Sequence, residues 1–483
     1  MYEKLPGKDV EPEDEKPTRP RPHSRVLAAF FIALICFGTL LHPVSRSYHP
    51  ACKAYGHLRP KNVEERVRKI LTSTPLIGAA ASPFPHLAQL KADGHDDFPL
   101  LVRYMYDNHI YSPNFTKPFS TTGLPMHVDL PRLRAGLNGG AFWSVYAPCP
   151  ANGTDFSEAN YLPIVQFTLQ QIDMMTRLTA AYPRDFSGLP DISSRSAAEA
   201  FKQGKLISPL GVEGLHQIGN SVATLRRFHA LGVRYATLTH NCHNVFADAA
   251  VREYPDFGKA PPFHGGVSAL GRDLVKEMNR IGMLVDLSHV SEDTMLDVLG
   301  GRPEKWEGSA APVMFSHSSA YALCPHPRNV PDEVLELVKK TNSIVMVNFA
   351  PDFISCIDEG NPNGIPTHYP PNSTLAQVAN HITYIGELIG YDHVGLGSDF
   401  DGIMSTPEGL PDVSAYPDLI AVLLHRGVSD ADAAKIAGGN VLRVWADAEA
   451  VAARMQSEGV QPMEDDLPKL KFASQGWING FEA

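Results

Sequence analysis

Between residues 141 and 400 the chain repeats a pattern that few folds can accommodate: short apolar runs alternate with longer amphipathic stretches. The runs are "AFWSVYA" (141–147), "ISPLGVEG" (207–214), "RYATLTH" (234–240), "GMLVDLSHV" (282–290), "APVMFSHS" (311–318), "SIVMVNFA" (343–350) and "HVGLGSDF" (393–400). Between them lie "SVATLRRFHALG" (221–232), "SALGRDLVKEMNRIG" (268–282), "PDEVLELVKKT" (331–341) and "LAQVANHITYIGELIG" (375–390), each with helical spacing of its apolar residues. Strands apolar on both faces and separated by helices imply a parallel sheet covered on both sides. With "TPLI" and "DGHDD" as a first strand, the count reaches eight. The pattern therefore predicts an α/β fold of the (β/α)8 barrel type. A doubly wound open sheet is the alternative, but no G-x-G-x-x-G follows a strand.

Strand after strand ends in a charged or metal-capable residue: His95 and Asp97, then Glu213, His240, His289, His317 and Asp399. One histidine at a strand end is usually a hydrogen-bonded rim residue. Six strands ending this way are hard to explain by solvation, and in a parallel barrel such ends converge on one face. Within "ADGHDDFP" (92–99), alternation puts His95 and Asp97 on one side and Asp96 on the other. Asp93 shares that parity but precedes Gly94 and reads as a turn residue. Mixed imidazole and carboxylate donors suit zinc and similar ions. These histidines together with several acids exceed the needs of one tetrahedral ion. They point to two metals with a carboxylate bridge, an arrangement that activates water for hydrolysis.

Composition restricts the partners. Hydrophobic residues make up 43% and charged residues 20% of the 483, which is globular rather than disordered. A formal charge of −11 argues against nucleic acid, which calls for a basic surface. Residues 1–25 are charged and Pro-rich, the composition of a disordered tail. Residues 26–44, "VLAAFFIALICFGTLLHPV", carry no formal charge and approach the length of about 20 residues that spans a bilayer. Arg19, Arg21 and Arg25 flank this segment. A single-pass type II anchor, with the main domain outside the cytosol, is expected from them. A cleaved signal peptide and a buried core helix are the competing readings. Cys149, Cys242, Cys324 and Cys356 have no C-x-x-C spacing and read as possible disulfides outside the cytosol. Sequons at Asn114, Asn152 and Asn372 point the same way.

The motifs "DGHDDFP", "FWSVY", "GVEG", "LTHNC", "DLSHVS", "FSHSSAY", "RNVP", "VMVNF" and "GSDFDG" occur in one order along the chain. In that order they resemble the membrane (renal) dipeptidases, zinc peptidases of the amidohydrolase-type barrel. The resemblance spans roughly residues 71–447. It implies that His95 and Asp97 hold one Zn2+ and His289 and His317 a second, with Glu213 bridging the two ions. It implies that His240 faces the scissile carbonyl, that Arg328 grips the substrate carboxylate, and that Asp399 carries the proton to the leaving amine. The implied substrates are dipeptides, including ones with a D-residue at the C-terminal position or Cys-Gly conjugates. The resemblance also pairs Cys149 with Cys242 and Cys324 with Cys356, and suggests a homodimer. Without it, Arg328 in "PHPRNVP" could equally form a surface salt bridge, and Asp399 could cap a helix.

Two features depart from the family. The chain ends "SQGWINGFEA", with no apolar tail for a lipid-anchor signal, so the N-terminal anchor would take that place. Fifteen residues, 78–92, separate "TPLI" from "DGH", as an outward insertion or a retained intron. The expected organisation is tail 1–25, anchor 26–44, stem 45–70, barrel 71–450 and C-terminal extension 451–483. Rival readings are another amide or lactam hydrolase on the same barrel, and an inactive binding homologue. The second would lack a ligand, and none is missing.

Overall fold

The computed structural model describes residues 61–73 and 93–466, except Pro190 and Tyr254. Eight strands form one parallel sheet: β1 Asp93–Asp96, β2 Ala141–Val145, β3 Leu210–Glu213, β4 Val233–Thr237, β5 Leu284–Asp286, β6 Met314–Phe315, β7 Ile344–Val347 and β8 Val394–Leu396. Each pairs with the next in chain order, as right-handed crossovers through helices require. The sheet comes round on itself: Asp97 N–H donates to the Phe400 carbonyl at 2.9 Å, and Asp399 N–H to that of His95 at 3.2 Å. This is the barrel the apolar runs predict, and every described run overlaps its strand.

Closure draws on a residue read differently from sequence. Asp93 makes the local backbone bond expected of it, accepting from the His95 N–H at 3.3 Å, but it does so buried at the start of β1 rather than in a turn. Its carboxylate accepts from the backbone N–H of Ser398 at 3.0 Å, from the Ser398 hydroxyl at 2.5 Å, and from the Tyr416 hydroxyl. A buried carboxylate must find donors, and here they stand beyond β8, so satisfying it ties the first strand to the last.

The helices begin where small hydroxyl residues can cap them. Ser221, Ser268, Ser291 and Thr374 each accept from the backbone N–H three residues on. Helix Ala269–Ile281 turns Leu274, Val275 and Met278 onto the sheet. Helix Asn440–Ser457 runs past residue 450 and buries Val441, Leu442, Val444, Trp445 and Ala448. Trp445 meets Phe142 with ring centroids 5.5 Å apart, beside Leu284, Met314 and Ile344 at the strand starts. The N-terminal mouth of the barrel is therefore sealed with apolar packing, which leaves the opposite mouth for chemistry. Helix Lys61–Ser73 buries Val63, Val67, Ile70 and Leu71 in the other, larger apolar cluster.

The type II membrane arrangement is corrected. Among the described residues no helix is long and apolar enough to cross a membrane. Residues 1–25 and 26–44 lie outside the described residues, as does the 78–92 segment.

Candidate functional site

At the C-terminal mouth, side chains from five strand ends meet around Glu213, the last residue of β3. Its Oε1 lies 2.9 Å from His289 Nε2, 3.4 Å from His317 Nε2, 3.5 Å from His95 Nε2 and 4.0 Å from His240 Nε2. Asp97 Oδ2 lies 3.2 Å from His95 Nε2, as alternation along β1 requires. His95, Asp97, Glu213, His289 and His317 are all buried. Asp96, on the other parity, turns away and accepts from the Phe98 backbone N–H at 3.0 Å.

The imidazoles are aimed by partners on their far nitrogens. Tyr235 hydroxyl lies 2.7 Å from His95 Nδ1, Asn241 Oδ1 2.8 Å from His289 Nδ1, and Ser316 Oγ 2.8 Å from His317 Nδ1. Ser316 in turn donates to Asp286 Oδ2 at 2.7 Å, which leaves its lone pairs for the imidazole N–H. A proton held on Nδ1 frees Nε2 as a ligand atom. Glycines make room for this shell. A Cβ on Gly211 would lie 2.0 Å from the Tyr235 ring, and one on Gly402 would lie 2.1 Å from Asp97 Oδ2 and 2.6 Å from Asp399 Oδ1.

Two site residues hold backbone conformations that L-residues avoid: His289 at φ 66° and Asp399 at φ 65°. Such positions cost about 1–3 kcal/mol and persist where the surroundings impose them. Asp399 is not a helix cap; its Oδ2 accepts from Asn348 Nδ2 at 3.1 Å. Nor is Arg328 a surface ion-pair residue. It is 1% exposed, its guanidinium lies 5.1 Å from the Phe353 ring centroid, and its Nη2 donates to His317 Nε2 at 2.8 Å. Its Nε and Nη1 are buried without a protein partner. Asp401 serves structure by accepting from the His127 backbone N–H at 2.8 Å.

Burial dominates the electrostatics except at His95, where it lowers the pKa but Tyr235, Glu213 and Asp97 outweigh it and hold the group well above the usual histidine value. Burial pushes Glu213 up to about 8, with His95 drawing it down and Asp97 raising it further. It lifts Asp399 to about 6 and lowers Arg328 to about 10. His240, His289 and His317 are pushed well below the usual histidine value, burial being the largest cause for each. A cation among these donors would reverse the penalty on the carboxylates. The donor set fits one. Histidine Nε2 atoms and carboxylate oxygens converge from separate strands, and Asp97 Oδ1 is buried with no protein partner. A cavity of about 410 Å3 opens onto Asp97, Glu213, His240, His289, Arg328 and Asp399. That is the size class of a small-molecule site.

Residues 87–459 match the family model described as membrane dipeptidase, peptidase family M19. The chain belongs to that family. It is 47% identical over 377 residues to dipeptidase aclJ of Aspergillus oryzae, covering 78% of this chain and 81% of that one. It is 41% identical over 432 residues to dipeptidase tcpJ of Claviceps purpurea, covering 87% and 91%. Among solved structures it resembles a metallopeptidase of Rhodobacter sphaeroides liganded with a phosphinate mimic of the dipeptide L-Ala-D-Ala. That match has 25% identity and a TM-score of 0.60, and covers 74% of this chain and 99% of that one. The probable dipeptidase PvdM of Pseudomonas aeruginosa shares the fold, with TM-score 0.66, 21% identity, and coverage of 82% and 100%.

As a member of family M19 this chain is a metallo-dipeptidase, a peptide-bond hydrolase that depends on a metal cofactor. Its disulfides join Cys149 to Cys242 and Cys324 to Cys356, the pairs the resemblance implies. The seven strand-end residues and Arg328 are brought together as sequence reasoning expected. Sequence reasoning missed the shell behind them, namely Tyr235, Asn241, Asp286, Ser316 and Asn348. Asp286 was visible as a polar residue inside an otherwise apolar strand; Tyr235, beside Arg234 and Thr237 in β4, did not stand out. The loop residues carried no such signal. The sequon residues Asn114, Asn152 and Asn372 are exposed.

Proposed function

We propose that this metallo-dipeptidase binds two zinc ions and hydrolyses dipeptides that carry a free C-terminal carboxylate, with a D-residue accepted at that end. The observation that carries the reading is the placement of one Glu213 oxygen within 3.5 Å of Nε2 of His95, His289 and His317. In this reading His95 and Asp97 hold one ion, His289 and His317 the other, and Glu213 spans both. Zinc, when bound, supplies Lewis acidity toward the peptide carbonyl and lowers the pKa of water.

The protein's own groups do the rest. Arg328, whose Nε and Nη1 have no protein partner, would offer one edge of its planar guanidinium to the substrate carboxylate, a match a lysine would not provide. His240 stands beside the carbonyl, steadied by the Tyr146 ring at 4.7 Å between centroids. Asp399, raised to about 6 by burial, takes a proton near neutral pH and gives it to the departing amine. The Rhodobacter relative with its L-Ala-D-Ala mimic supports acceptance of a D-residue. Phe257, Phe353, Ile403 and Met404 line the outer cavity, which favours apolar substituents, including those of S-conjugated Cys-Gly.

Metal analysis with a dipeptide panel tests the proposal. About two zinc ions per chain and cleavage of L,D- and L,L-dipeptides, lost with chelator and restored by Zn2+, are expected. Cleavage that persists in fully metal-free protein, or a panel on which only lactams or N-acyl amides turn over, would overturn it.

A further inference from the structure

We infer that Glu253 is a positioning residue that sets the proton on His289 through the side-chain amide of Asn241. The inference rests on reading His289 as a metal ligand. Both positioning residues sit in the loop that follows β4 and folds back over the strand ends. Backbone contacts hold the loop there. Glu253 N–H donates to the Asn241 carbonyl at 3.1 Å, and Ala250 N–H donates to that of His289 at 2.7 Å. The disulfide from Cys242 to Cys149 fixes the residue next to Asn241.

The polarity of the chain of contacts follows from donor and acceptor chemistry. Asn241 Nδ2 donates to Glu253 Oε1 at 3.0 Å. A carboxylate only accepts, so Asn241 must present its NH2 to Glu253 and its carbonyl oxygen to His289. That oxygen lies 2.8 Å from His289 Nδ1, and it too only accepts. Nδ1 therefore carries the proton, and the bare nitrogen of the neutral ring is Nε2, facing Glu213 Oε1 at 2.9 Å. With the amide reversed, Nδ1 would become the acceptor and Nε2 would carry the proton, which no ligand nitrogen can do. The other imidazole near Glu253 is that of His240, whose Nδ1 is 3.5 Å from Oε1, so the 3.0 Å contact with Asn241 is the closer one. Asp286 and Ser316 do the same for His317, so the two histidines share one design with different residues.

Glu253 also lines the cavity, so a role in binding a substrate ammonium has to be separated from positioning. The full-length protein is compared with the variants Glu253→Gln, Asn241→Asp, the double variant and His289→Ala. Metal retained after dialysis against a limiting chelator, kcat, KM and thermal unfolding are read for each. Glu253→Gln puts an NH2 where the carboxylate was and lets the amide at 241 reverse. Metal affinity is expected to fall about tenfold, the lower end for a residue behind a ligand. The double variant restores the polarity, because an aspartate at 241 accepts from both neighbours, and metal retention should recover. Should Glu253→Gln not fold, Asn241→Ala takes its place with the same expected loss. A raised KM with full metal retention would overturn the inference in favour of substrate binding. A double variant no better than Glu253→Gln would overturn it as well. If His289→Ala keeps its full metal content, the ligand assignment itself has failed. If His289→Ala loses metal while Glu253→Gln does not, only the relay has failed.

Discussion

Single residues carry the chemistry through what surrounds them. Glu213 is the sharpest case, a carboxylate at the end of an apolar strand with imidazoles on several sides. Glu213→Ala is expected to lose metal and more than about a hundredfold in kcat, since even residues behind the ligands cost up to that much. Metal analysis beside a thermal melt checks this, and full activity in a folded variant would refute the bridging role. Asp399 sets a pH limit. Burial raises its carboxyl to about 6, a bound cation lowers it from there, and the ionised, proton-accepting form is lost as pH falls through the resulting value. The rate should therefore drop on the acid side. Asp399→Asn should remove most of the activity at every pH while leaving metal content unchanged. His95 and Asp97 could be picked out by alternation alone. Tyr235 and Asn241 could not, because nothing local says which ring nitrogen a distant side chain will meet.

At the level of elements, the barrel depends on helices held by polar contacts as well as apolar faces. Glu277, on helix Ala269–Ile281, is buried and accepts from Arg280 at 2.7 and 2.8 Å, from Arg226 at 3.1 Å and from the Met463 backbone N–H at 3.1 Å. Burial alone would raise its pKa, but the Arg280, Met463 and Arg226 hydrogen bonds outweigh it and hold the carboxyl below the ordinary 4.5. Its contribution to stability is thus complete above that unfolded value and is lost as pH falls through the lower folded one. Glu277→Gln should cost about 2 kcal/mol at neutral pH. The difference from wild type should shrink in acid, as denaturant melts at pH 7 and pH 3 would report. Equal melts at pH 7 would exclude the role. The helices themselves were legible from spacing and caps; which carboxylate joins three segments was not.

For the whole molecule, the two disulfides and the β1–β8 closure tie together segments far apart in the chain. The Cys149–Cys242 bridge closes a loop with a sequence separation of 93 and passes beside the Asn241 position. Removing it with the Cys149→Ala, Cys242→Ala double variant should cost about 2–4 kcal/mol. Activity should fall further than the melt explains, because the loop that aims His289 loses a fixed point. A melting temperature and kcat equal to wild type would contradict this.

The order of apolar runs and helical stretches by itself determined the barrel, because buried parallel strands need continuous apolar sequence and crossovers need helices. It also determined which residues stand at the strand ends, since chain direction decides which mouth a side chain reaches. Tertiary structure alone decided that Asp93 closes the barrel rather than turning the chain, that Arg328 is buried against His317, and which partner fixes each imidazole proton. Those outcomes depend on donors and acceptors far apart in the chain, and on glycines such as Gly211 and Gly402 that let them approach. Sequence spacing records neither.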